Sequence, residues 1–192
     1  GFEDVFDPHG FGLPVETIQS LDRLTQWALH CAREALSPTQ AKSLATTGLV
    51  LGNLSFPSDS MASFAHGVWS GNAVGDRGED RFMSGLPAMR VAKALSLGGE
   101  ALCLDAACAS ALYAIKSACD RLQDGEADLM LAGAVNRADD LFIHVGFSAL
   151  RALSTSGQSR PFHEDADGLV PAEGCVVFAL KRQGRTIYGF GH

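Results

Sequence analysis

Four short apolar runs, at residues 48–52, 101–104, 127–135 and 175–180, punctuate this chain and are bounded by glycine, charged or small polar residues. Runs of this length and setting read as buried strands of a parallel or mixed sheet. Between them, apolar side chains recur every three or four positions, which marks one face of a helix. Strand and helix alternating along one chain predict an α/β layered domain.

The helices are placed by their faces and their ends. Ile18, Leu21, Leu24, Ala28, Cys31 and Ala35 predict one helix over 15–36, stopped by Ser37-Pro38. Pro87 near the start and Gly98-Gly99 beyond the end predict another over 86–95. Leu112, Ile115, Cys119 and Leu122 share a face, and Asp124-Gly125 closes that helix. A further helix is expected from Asp139 or Asp140 to Leu150, and 53–80 is expected to be loop with a short helical patch near Met61 to Trp69.

With 192 residues, 46% of them hydrophobic, the chain can fill one domain. A formal net charge of -7 disfavours nonspecific nucleic-acid binding, which demands a basic surface. No apolar run reaches the roughly 18 residues of a membrane span, and no basic leader precedes an apolar stretch, so neither a membrane nor a targeting signal is expected. The five cysteines, at 31, 103, 108, 119 and 175, lack ligand spacing and cannot all pair within one chain. No metal site is expected, and a reducing, cytoplasmic setting fits best.

Cys108 is the candidate nucleophile. In Asp105-Ala-Ala-Cys108-Ala-Ser110-Ala-Leu112 a buried strand turns at small residues and places the thiol at a helix start. Unpaired backbone N–H groups and the positive end of the helix dipole favour a thiolate there. From these residues alone two roles stay open, a nucleophile or a small packed hydrophobe.

Four blocks together resemble the β-ketoacyl synthase family, over nearly the whole chain. They are the Asp105–Leu112 motif, Ala132-Gly133-Ala134, Gly146-Phe147-Ser-Ala-Leu-Arg151-Ala-Leu153-Ser154 with Arg160-Pro161-Phe162, and Asp167-Gly168 with Glu173-Gly174. The wording is most similar to synthase domains of iterative type I polyketide and polyunsaturated fatty acid synthases. Pro171-Ala172 departs from the Met-Gly or similar pair usual before Glu-Gly.

The resemblance implies a thiolase-like fold, here the N-terminal half, with a mixed, mainly parallel sheet flanked by helices. It implies an acyltransferase that accepts an acyl chain on Cys108 and condenses it with malonyl carrier protein by decarboxylative Claisen chemistry. The backbone N–H of Cys108 is expected to serve the oxyanion hole. Phe147 matches a phenylalanine beside the family's acyl pocket, although a phenylalanine in an apolar helix also packs as ordinary core. Asp167, Gly168, Glu173 and Gly174 are expected to shape the floor of the site. No cofactor is implied. The implied partners are an acyl carrier protein domain bearing phosphopantetheine thioesters and a second copy in a homodimer. Arg90, Lys93, Lys116, Arg121, Arg137 and Arg151 are candidates for docking the acidic carrier.

The family's two condensing histidines, in His-Gly-Thr-Gly-Thr and Asn-x-Gly-His blocks, have no match in this sequence. His9, His30, His66, His144 and His163 lie outside any such motif, and His192 repeats only the Gly-His pair. Residues 1–192 are therefore expected to be a partial synthase domain, truncated at both ends, that alone reaches acyl transfer at most. Two alternatives are a noncatalytic structural or dimerisation half, which the presence of Cys108 disfavours, and a cysteine hydrolase, which needs a histidine such as His144 or His163 beside the thiol.

Overall fold

In the computed structural model, residues 4–39, 44–54, 66–72, 85–138 and 141–191 are described. Five strands form one mixed sheet: β1 (Thr47–Gly52), β2 (Ala101–Leu104), β3 (Leu129–Asn136), β4 (Gly174–Gln183) and β5 (Thr186–Gly191), in the order β2-β1-β3-β4-β5. β1 runs parallel to both β2 and β3, whereas β4 is antiparallel to β3 and β5 to β4. All six residues of β1 are buried, which is why that run carries no solvent-facing polar position.

The pleat sends alternate side chains to two cores. Leu49, Leu51, Leu129, Leu131 and Val177 meet helices α1 (Val15–Gln19), α2 (Arg23–Leu36) and α3 (Leu86–Ala94) on one face. Val50, Met130, Ala132 and Leu180 meet Ala114, Ala118 and Leu122 of α4 (Ser110–Asp124) on the other. The result is a helix–sheet–helix sandwich, with α5 (Leu141–Ala149) following β3.

Two expectations are corrected. The single helix over 15–36 is two, because Asp22 accepts the Leu24 N–H at 2.9 Å and so caps a new helix, while its carboxylate also lies 3.6 Å from Arg137. β4 begins and ends beyond 175–180, and β5 was not anticipated: its apolar residues are interrupted by Gly189 and flanked by charge, so no run stands out. Residues 66–70 of the expected helical patch are helical, and the rest of that patch lies outside the described residues.

α4 stops at Gly125, whose φ of 76° is left-handed and whose N–H donates to the Arg121 carbonyl. A side chain there meets no neighbour, so the cost of Gly125→Ala is conformational alone. Chemical denaturation is expected to show a loss of about 1 kcal/mol.

Candidate active site

β2 delivers the chain to the nucleophile turn. After Leu104 the backbone passes Asp105 and Ala106 into a single 3₁₀ turn, Ala107–Ala109, and α4 begins only at Ser110. Cys108 thus sits just ahead of the α-helix rather than on its first turn. The cause is Ala107, whose φ of 51° is left-handed and interrupts the helical path. For an L-residue that conformation is unfavourable by roughly 1–2 kcal/mol, so neighbours must hold it.

They do so at both ends of the residue. Asp105 Oδ1 accepts the Ala107 N–H at 2.9 Å, and Ser110 Oγ donates to the Ala107 carbonyl at 2.7 Å. Ser110 Oγ also accepts the Ala106 N–H at 2.9 Å, and the residue is buried. Ser110→Ala removes one group that satisfies two backbone atoms. The expected loss is about 1–3 kcal/mol by denaturant unfolding, with faster hydrogen exchange at the Ala106 amide.

The turn presents Cys108 as an exposed thiol at a cavity of about 510 Å³. Ile115 of α4, Val135 of β3, Phe147 of α5 and Val176 and Phe178 of β4 line the same cavity, which is mostly apolar. Cys108 and Phe147, far apart in sequence, therefore face one space. Of the Asp-Gly and Glu-Gly block, Gly174 lines the cavity, together with Leu169 and Pro171 between the two motifs.

Asp167 is exposed and does not line the cavity. Ser154 Oγ donates to its carboxylate at 2.6 Å, Thr155 Oγ1 at 2.8 Å and the Ser156 N–H at 2.8 Å. These donors, the Ser154 hydroxyl foremost, hold the Asp167 carboxyl well below the usual carboxylate range. Because the folded-state value is depressed, its stabilising contribution is complete above about pH 4 and fades as pH falls through the folded value. Carboxyl NMR should find Asp167 titrating below a free aspartate, and Asp167→Asn should expose the Ser156 amide to exchange.

Two asparagines at strand ends escaped sequence reading. Asn53 is buried directly after β1; its N–H donates to the Leu104 carbonyl at 3.1 Å and its side-chain amide donates to the Val135 carbonyl. It therefore ties together the ends of β1, β2 and β3 beneath the nucleophile turn. Asn136 Nδ2 donates at 2.6 Å to the carbonyl of Ala172, within the unusual Pro-Ala pair. The one sequence signal was a polar residue immediately after an apolar run, which a loop also provides.

Among the described residues, no histidine lines the cavity at the thiol. His144 Nε2 meets the Ala138 carbonyl at 2.6 Å, the Asp165 N–H donates to His163 Nδ1 at 3.1 Å, and neither residue lines the cavity. Several candidate carrier-docking cations are already engaged: Lys116 pairs with Asp120 at 2.6 Å, Arg121 with Glu100 at 2.7 Å, and Arg137 with Asp22. Among the described residues no cluster of three or more His, Cys, Asp or Glu side chains is arranged to hold a metal, and no helix is long and apolar enough to cross a membrane.

A polyunsaturated fatty acid synthase polypeptide of Thraustochytrium sp. is 34% identical over 98% of this chain and 10% of its own length. A mycocerosic acid synthase-like polyketide synthase of Mycobacterium tuberculosis is 37% identical over 92% of the chain and 8% of its own length. The chain thus spans about a tenth of these curated relatives. Among solved structures, a keto synthase-chain length factor, PfaC, superposes with a TM-score of 0.81 at 34% identity, covering 92% of this chain and 22% of that one. A β-ketoacyl synthase from Burkholderia phymatum gives 0.75 at 26% identity, covering 91% and 47%. The mixed sheet flanked by helices is accordingly that of the thiolase-like ketosynthases. The model of the β-ketoacyl synthase N-terminal domain matches residues 2–185, taking in the thiol turn and the whole described sheet up to the last hairpin, and the chain belongs to the β-ketoacyl synthase family.

Proposed function

We propose that this chain is the acyl-accepting half of a ketosynthase in polyketide or fatty acid synthesis. The observation that carries this reading is the convergence of Cys108, held out on a strained turn, with Phe147 on one apolar cavity. The Cys108 thiolate attacks the carbonyl carbon of an acyl thioester, the tetrahedral intermediate collapses, and the carrier's phosphopantetheine thiolate leaves. The backbone N–H of Cys108 donates to the oxyanion as it forms. The apolar walls, Phe147 among them, take the acyl chain. Decarboxylation of a malonyl thioester then yields an enolate that attacks the acyl carbonyl and releases the Cys108 thiolate.

Neither His144 nor His163 stands at the cavity, so this chain alone carries the reaction only as far as the acyl-enzyme. The same observation counts against a cysteine hydrolase, which needs an imidazole beside the sulfur. Exposed Leu112 and Tyr113 on α4, and Val176 on β4, are large apolar side chains that support a further layer or a second copy over this face. A cytoplasmic location fits the five free thiols.

The test uses the chain with an acyl thioester of a phosphopantetheine analogue. Intact-mass and peptide analysis should find one acyl group, on Cys108. Subsequent malonyl thioester should release no carbon dioxide without added protein. Acylation elsewhere would overturn the nucleophile assignment, and brisk release would overturn the restriction to the first half-reaction.

A further inference from the structure

Two other cysteines, 144 positions apart in sequence, meet across the opposite core. Cys31 lies on α2 and Cys175 on β4, both packed against the core under α1, α2 and α3. The Cys31 S–H donates to the Cys175 carbonyl oxygen at 3.7 Å, which brings the two residues side by side in that core. Both are half-buried and free.

The remaining thiols differ in setting. Cys103 packs on the same layer, but its sulfur accepts the Ala88 N–H at 3.4 Å and burial pushes its thiol up to about 12. Cys119 packs on the far side of the sheet. In the close pair, the Cys175 S–H can donate to a Cys31 thiolate, which draws Cys31 below an ordinary thiol and raises Cys175. One thiol is thereby favoured as the attacking group and its neighbour as the resolving group.

We propose that Cys31 and Cys175 form a dithiol modification site, separate from the acyl-accepting thiol, that a hydroperoxide converts to a disulfide. The Cys31 thiolate attacks the peroxide oxygen, the O–O bond breaks, and an alcohol or water leaves with a proton from solvent. The Cys175 sulfur then displaces hydroxide from the Cys31 sulfenic acid, releasing water as the S–S bond forms. Overall two thiols lose two hydrogens and one hydroperoxide is reduced. The disulfide joins α2 to the first residues of β4, whose neighbours Gly174 and Val176 belong to the cavity wall.

The experiment treats the folded chain with tert-butyl hydroperoxide, in parallel with a Cys108→Ala variant that lacks the exposed competing thiol. Remaining thiols are blocked, and tryptic peptides are mapped without reduction. The expected product links peptide 24–33 to peptide 152–181 and is absent from Cys31→Ala and Cys175→Ala. A second measurement needs no variant: phenylarsine oxide, which bridges two adjacent sulfurs, should add once across these peptides and block their later oxidation. Free Cys31 and Cys175 after a dose that oxidises Cys108 would overturn the proposal. So would linkage of Cys175 to Cys108, or failure of the arsenical to bridge the pair.

Discussion

Cys108→Ala should lower the rate of acyl transfer to the chain by on the order of 10⁴-fold or more, the scale on which loss of a covalent nucleophile acts. The assay is the time course of the acyl-thioester adduct by intact mass. The side chain is exposed and the substituted residue fits any helix-entry turn, so circular dichroism and the unfolding midpoint should change little. That separation gives the experiment its force: chemistry is lost while the fold remains. Cys108→Ser keeps the size of the group but replaces a polarizable thiolate by a poorly ionised hydroxyl, and should recover only a trace of the rate. Brief iodoacetamide treatment of the wild type should reproduce the alanine result, and prior acylation should protect Cys108 from the reagent. If the adduct persists in Cys108→Ala, the cavity binds acyl thioesters for another thiol and the reading of the turn fails.

Gly133→Val is expected to be the most damaging substitution in the sheet. Gly133 stands in β3 opposite Val177 of β4, and a Cβ built there would fall 2.0 Å from the Val176 carbonyl oxygen and 2.8 Å from the Val177 Cα. The obstructing atoms are backbone, so no rotamer change relieves the clash. The two strands must part, and their separation breaks ladder hydrogen bonds within the largest antiparallel pairing of the sheet. A loss of about 3 kcal/mol or more is expected, which for a domain of this size corresponds to a midpoint lower by roughly 6–12 °C. Gly133→Ala should retain most of that loss, because the obstructed atom is the Cβ that both substitutions add. Because Gly133 also lines the cavity, the residual folded protein should be slow to acylate. Gly52→Ala should tell a related story at the other end of the site, since its Cβ would lie 2.6 Å from the Ser110 carbonyl oxygen, under the start of α4. There the expected damage is to the nucleophile turn more than to the sheet.

Several features are legible in the sequence because their signals are local. β1, β2 and β3 announced themselves as apolar runs, α3 through Pro87, and α4 through its face and Gly125. The thiol turn was legible from its run of small residues next to a helix pattern. Less local features were hidden. The break between α1 and α2 depends on Asp22 bonding to Leu24 and meeting Arg137, and apolar spacing continues through it undisturbed. β5 is held in place by β4, to which it pairs from Gln183↔Thr186 to Phe178↔Gly191, and not by a pattern of its own. Asn53 and Asn136 look like ordinary loop residues until their hydrogen-bond partners, remote in sequence, come beside them.

By itself the sequence determined the layered α/β class, the strands at its centre, the family and Cys108 as the residue to watch, because periodicity and short-range turn chemistry depend on neighbours along the chain. Only the tertiary structure decided that Cys108 stands ahead of its helix on a left-handed Ala107, that Phe147 shares its cavity, and that Cys31 meets Cys175. The first rests on Asp105 and Ser110 bonding to either end of Ala107; the other two rest on contacts between residues tens of positions or more apart, and the sheet order β2-β1-β3-β4-β5 that brings those together is set by which surfaces bury best against one another.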